Sequence, residues 1–125
     1  MASSLRRWFV VHFVVDMLFG LPLLLFPDGV MGLFGLEVGE QVTVRLVGAA
    51  LIGIGGVSLW VNKEGREVYA ALLRLKLLWS GSAIVGAGLS LWYGAPMMIL
   101  VVLVVFMAFF LVWLYYYRRL RCKIF

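Results

Sequence analysis

Four ionisable side chains stand inside long apolar stretches of this 125-residue chain: His12 and Asp16 in the first, Arg74 and Lys76 in the third. A charged group at the centre of a bilayer costs at least ~2.5–3.5 kcal/mol on insertion scales, so it is seldom left without a partner. His12 and Asp16 are four residues apart and stack on one helix face. A histidine titrates near neutrality and a neighbouring carboxylate shifts it, which is chemistry suited to proton transfer. Arg74 and Lys76 are two apart, about 200° around a helix, so both cannot face Asp16.

Depth selects between them. Counted from Trp8, Asp16 lies about 12 Å into the membrane, and counted from Glu67, Arg74 lies about 10–11 Å in from the same side. The expected arrangement is an Asp16–Arg74 pair with His12 stacked toward the cytoplasm, Arg74 sharing its face with Gly81 and Gly88. Lys76 is expected to send its ammonium to the interface, as snorkelling lysines do. Such a cluster locks the helix register, binds a small polar or headgroup ligand, or relays protons. Arg45, about one turn inside the second apolar segment, is expected to snorkel, to pair with Glu37 or Glu40, or to contact a headgroup. Trp79 reads as core filler. His12 and Asp16 are too few ligands for a metal, and a haem would need His12 from two subunits, so no cofactor is expected. There is no nucleophile elbow, H-E-x-x-H, phosphate-binding loop or paired carboxylates, and no catalytic residue is assigned.

The composition explains why these few groups stand out. Hydrophobic residues make up 65% of the chain and charged residues 14%, against ~45–50% and ~25% in a soluble domain. Mean hydropathy is +1.08. So little charge cannot cover so much apolar surface in water, which excludes a soluble enzyme, a nucleic-acid module and a secreted disulfide scaffold. The net charge of +5 is placed for a membrane. Arg6 and Arg7 precede the first apolar run, Lys63 and Arg66 share one loop, and Arg118, Arg119, Arg121 and Lys123 follow the last. That is positive-inside retention, with anionic headgroups as the natural partners and no nucleic acid. The lone Cys122 allows no intramolecular disulfide and reads as a tolerated thiol.

A transmembrane helix needs roughly 20 mostly apolar residues. Four segments qualify, at about 5–26, 41–61, 67–92 and 96–117, followed by a basic cytoplasmic tail at 118–125. Pro27 stops the first, and Pro96 takes a favoured first helical position in the fourth. Gly20 and Pro22 are expected to kink the first helix. The loops at 62–67 and 93–95 are short, which forces antiparallel neighbours. Between the first two helices, Asp28 can cap a short interfacial helix with Val30, Met31, Leu33 and Phe34 as its apolar face, ending at Gly35. The expected fold is all-α: one membrane domain, an up-down four-helix bundle with both termini cytoplasmic. Its fourteen glycines read as packing surface, since close backbone approach is what joins helices in lipid. Ala49, Gly53 and Gly56 on the second helix, and Ser82, Gly86 and Ser90 on the third, are expected to pack those two helices tightly and leave small-residue faces for homo-oligomers.

Three stretches carry a resemblance. They are Leu23-Leu24-Leu25-Phe26-Pro27, Leu33-Phe34-Gly35-Leu36, and Arg45-Leu46-Val47-Gly48-Ala49-Ala50-Leu51-Ile52-Gly53-Ile54-Gly55. Over roughly its first half the chain loosely resembles small prokaryotic four-helix, DoxX-like membrane proteins. The resemblance implies four helices and a prokaryotic inner membrane, and it transfers no catalytic residue. Three functional classes follow: a non-enzymatic membrane protein built around the Asp16/Arg74/His12 cluster, a subunit of an oligomeric transporter or channel gated by it, and a membrane redox or lipid-modifying enzyme.

Overall fold

A computed structural model describes residues 3–37 and 41–124, with side chains through Arg121. The described residues form five helices: α1 (Ser3–Leu25), α2 (Pro27–Leu33), α3 (Val42–Trp60), α4 (Arg66–Trp92) and α5 (Ile99–Ile124). Four of them, α1, α3, α4 and the Ile99–Arg121 stretch of α5, are long and apolar enough to cross a membrane. They divide into two compact units, Met1–Glu64 and Gly65–Phe125. In the first, α1 packs on α3, and in the second, α4 packs on α5.

The buried face of α1 is Leu5, Phe9, His12, Asp16, Gly20 and Leu23. Steps of three and four residues make this a coiled-coil-like seam. The facing seam of α3 is Gly48, Leu51, Gly55 and Ser58. Backbone meets backbone at Gly20 and Gly48. A Cβ added at Gly48 would stand 2.8 Å from the Gly20 carbonyl oxygen and 2.8 Å from the Leu24 nitrogen. Two backbones that near each other gain dispersion contacts no larger residue would permit. Within this hairpin the glycines at the contact are Gly20, Gly48 and Gly55. Ala49 and Gly53 are exposed, as are Ser82, Gly86 and Ser90 on α4, and a Cβ at Gly53 would meet nothing within 4 Å. Gly56 only grazes the Met17 methyl. The seven-residue step from Gly48 to Gly55 stays in phase with the α1 seam, whereas Gly53 is turned away from it.

Both ends of this hairpin are tied by arginine. Arg6, the fourth residue of α1, donates to the carbonyls of Asn62 and Glu64 just past the end of α3, and the Asn62 amide donates back to the Arg6 carbonyl at 3.2 Å. Arg45, the fourth residue of α3, donates through Nε to the Leu24 carbonyl at 3.1 Å, at the end of α1. The Arg45 guanidinium thus supplies donors and positive charge to a carbonyl that α1 leaves unsatisfied at its C-terminus, and that of Arg6 ties α1 to the turn after α3.

α1 continues through Pro22. α2 starts with Pro27 at its first position, but Asp28 is not its cap. Asp28 lies in the first turn, where its carboxylate accepts from the Gln41 amide at 2.8 Å. α2 and α4 end alike. Gly35 (φ 75) and Gly94 (φ 95) take the left-handed conformation that closes a helix. Beyond them Leu36 N–H donates to the Met31 carbonyl and Ala95 N–H to the Ser90 carbonyl, both at 2.9 Å. α5 begins at Ile99, later than Pro96, because the Pro96, Met97 and Met98 carbonyls are first used in tighter three-residue turns. It also runs past Tyr117 to Ile124. Arginine and lysine are good helix formers and favour the C-terminal end of the dipole, so the basic stretch extends the helix.

Gly48→Ala should destabilise the α1–α3 hairpin by about 1–3 kcal/mol, the usual penalty for overpacking, seen as a lower thermal midpoint in detergent. Gly53→Ala should leave that midpoint unchanged or raise it. Equal effects at the two positions would show that the Gly20–Gly48 backbone contact does not limit how closely α1 and α3 pack.

Candidate functional site

In the first hairpin, His12 and Asp16 are 3% and 5% exposed. The His12 Nε2 lies 3.3 Å from the Asp16 Oδ2. Their neighbours on the other faces of α1 reverse the pattern usual in water: Val14 is 46% exposed and Leu18 67%. One turn of α1 thus carries its polar groups inward and its apolar groups outward. α3 accommodates the carboxylate by having no side chain at Gly55, where an added Cβ would fall 2.5 Å from Asp16 Cβ and 3.0 Å from its Oδ2. The antiparallel register brings Ser58, fully buried, level with His12, and its hydroxyl donates to the Ile54 carbonyl at 3.0 Å.

The second hairpin has its own buried charge. Lys76 is 1% exposed, and its ammonium stands 5.0 Å from the ring centroid of Trp113. Trp113 is itself buried and stacked on Phe109, centroids 5.6 Å apart. An ammonium over an indole face, away from water, is the setting in which a cation–π contact is strongest. Ser80, one turn on, donates its hydroxyl to the Lys76 carbonyl at 2.6 Å.

The roles expected of Arg74 and Lys76 are therefore reversed. Arg74 is exposed and donates through Nε to the Tyr117 hydroxyl at 3.1 Å. The reason is phase. The buried residues of α4 are Tyr69, Ala70, Leu73, Lys76, Ser80 and Ala87; Tyr69, Leu73, Lys76 and Ser80 follow steps of four, three and four, and Arg74 stands off that line. The glycines used to choose Arg74 do not mark that line. Gly81 meets only the edge of the Phe110 ring at 3.5 Å, and Gly88 meets nothing within 4 Å. Gly55, Ser58, Ser80 and Trp113 were not singled out by sequence. The available signal was the repeat of small or polar residues at three- and four-residue steps in line with the charges.

The remaining positions are simpler. Arg45 caps α1 through the Leu24 carbonyl. It forms no ion pair among the described residues, and Glu40, one of its two expected partners, lies outside them. Trp79 packs edge-on against Phe106, centroids 6.1 Å apart, as filler would, and its indole N–H is buried without an acceptor among the described residues. No group of three or more His, Cys, Asp or Glu side chains among the described residues can hold a metal ion.

The chemistry available is thus narrow: a carboxylate and an imidazole close enough to share a proton, and a sheltered ammonium. No known protein family, curated protein or solved structure matches the chain.

Proposed function

We propose that this chain is a non-enzymatic, multi-pass membrane protein whose buried His12–Asp16 pair fixes the register of the first hairpin. The observation that carries this reading is the inversion along α1, where the two ionisable groups are buried and residues such as Leu18 are exposed. Exposed Leu18, Leu78, Val85, Val104 and Leu111 are costly in water and at home against acyl chains. A polar pair carried into such surroundings stabilises only the arrangement that keeps both members satisfied, and removing one leaves the other stranded. Lys76 with Trp113 plays the equivalent part in the second hairpin. On this reading the four long helices form an up-down bundle in a prokaryotic inner membrane. Lipid is the principal partner, and both termini are cytoplasmic because Arg6, Arg7, Lys63 and Arg66 share one side with the basic end of α5.

A second reading is favoured by the 3.3 Å His12–Asp16 contact. An imidazole and a carboxylate at that separation can pass a proton, and in an oligomer the pair would act as a proton gate in a transporter or channel.

Three measurements test these readings. In detergent, His12→Ala and Asp16→Ala should each lower stability, and the double variant should lose less than the sum, with a coupling of about 0.5–3 kcal/mol. Additive losses would mean the two side chains do not act together. In liposomes carrying a pH-sensitive dye, a proton gate requires wild-type flux above that of empty vesicles, diminished in Asp16→Asn. Wild-type vesicles no leakier than empty ones remove the second reading. For orientation, a membrane-impermeant maleimide should label Cys122, the one cysteine of the chain, in inverted inner-membrane vesicles and not in intact cells; the opposite pattern reverses the topology.

A further inference from the structure

We propose that Arg74, Tyr117 and Arg121, at the basic end of the second hairpin, form a binding site for a phosphate-bearing anion, independent of the His12–Asp16 pair. Two guanidinium groups converge on one phenol. The Arg74 Cζ is 5.7 Å and the Arg121 Cζ 5.8 Å from the centroid of the Tyr117 ring, and Arg74 Nε donates to its hydroxyl at 3.1 Å. Both arginines are exposed. Like charges gathered on one ring repel unless an anion is shared between them. Among the described residues neither arginine forms an ion pair, and Glu67 is the one acidic residue from Gly65 onward.

The donor set fits the ligand. Arg74 holds Tyr117 through Nε, and a guanidinium carries further N–H donors on its two Nη groups. Arg121 approaches the same ring from one turn further along α5, and the Tyr117 hydroxyl, having accepted from Arg74, still has its own proton to give. Planar guanidinium forks and a hydroxyl match the several acceptor oxygens of a phosphate better than a single point charge does. The neighbouring Arg119–Tyr115 pair, bonded at 2.8 Å, adds positive potential beside the site. The apolar run of α5 gives way to basic residues directly after Tyr117, where a spanning helix reaches the level of lipid phosphates. A lipid phosphate and free phosphate share this chemistry.

The test uses the full chain in neutral detergent, followed by its thermal midpoint. Short-chain phosphatidic acid, phosphatidylcholine of the same chain length, and inorganic phosphate against chloride at matched ionic strength are titrated separately. Phosphatidic acid should raise the midpoint saturably by several degrees, and phosphatidylcholine should not. Arg74→Gln and Arg121→Gln should each lose most of that rise, whereas Arg118→Gln, exposed on the same helix, should keep it. A variant-sensitive rise with inorganic phosphate identifies the free anion as a sufficient ligand; a rise confined to phosphatidic acid identifies the lipid. If Arg74→Gln does not fold, Arg121→Gln decides alone, provided its ligand-free midpoint matches wild type. Equal responses to the two lipids, no response to any phosphate, or a wild-type response from Arg121→Gln would overturn the proposal.

Discussion

Burying a charge where the surroundings are hydrocarbon costs more than any single packing contact returns, and this constraint organises both hairpins. Along α1 it requires that Asp16 be met by something polar. His12 is there, one turn back on the same face. It also requires room, and Gly55 of α3 provides it by having no side chain. In the second hairpin Lys76 meets the same constraint differently, with its ammonium over the face of Trp113. In each case the residue opposite, Gly55 or Trp113, suits the charged group it faces.

Packing then follows rules suited to lipid. In water, a helix presents its apolar stripe to the core, and burial of that stripe drives assembly. Here the outward residues are at least as apolar as the inward ones, so area gives little preference for one face. Close contact does give one. The backbones at Gly20 and Gly48 approach until a single added carbon would collide with main-chain atoms, and the serine hydroxyls of Ser58 and Ser80 turn back onto their own helices rather than remaining without acceptors.

These physics also decide what could be read from the residues alone. Helix number and approximate limits were legible, because runs of twenty apolar residues bounded by Pro27, Gly35 and Gly94 admit few other structures. The pairing of His12 with Asp16 was legible from a spacing of four. The identity of the inward cation on α4 was not. When both faces of a helix are apolar, hydrophobic periodicity no longer says which side is buried, and glycine position becomes an unreliable substitute. Within the first hairpin Gly53 faces away from α1, whereas Gly48 and Gly55 meet it. What separates them is phase relative to the partner helix, a property of two segments together. The limit of α5 was missed for a simpler reason: charge marks where a helix leaves the membrane, and does not stop it from continuing.

The arginine ties at the two ends of the first hairpin have a consequence for how it enters a membrane. Each of α1 and α3 carries arginine at its fourth position, each clasps the tail of the other, and Gly20 and Gly48 meet between them. None of these contacts depends on which end of the hairpin faces which side of the membrane. The hairpin therefore has little inherent sense of inside and outside: inserted upside down, it would bury the same seam and make the same clasps. Direction must be imposed by the charges at its two ends, Arg7 and Lys63 at one against Asp28 and Glu37 at the other.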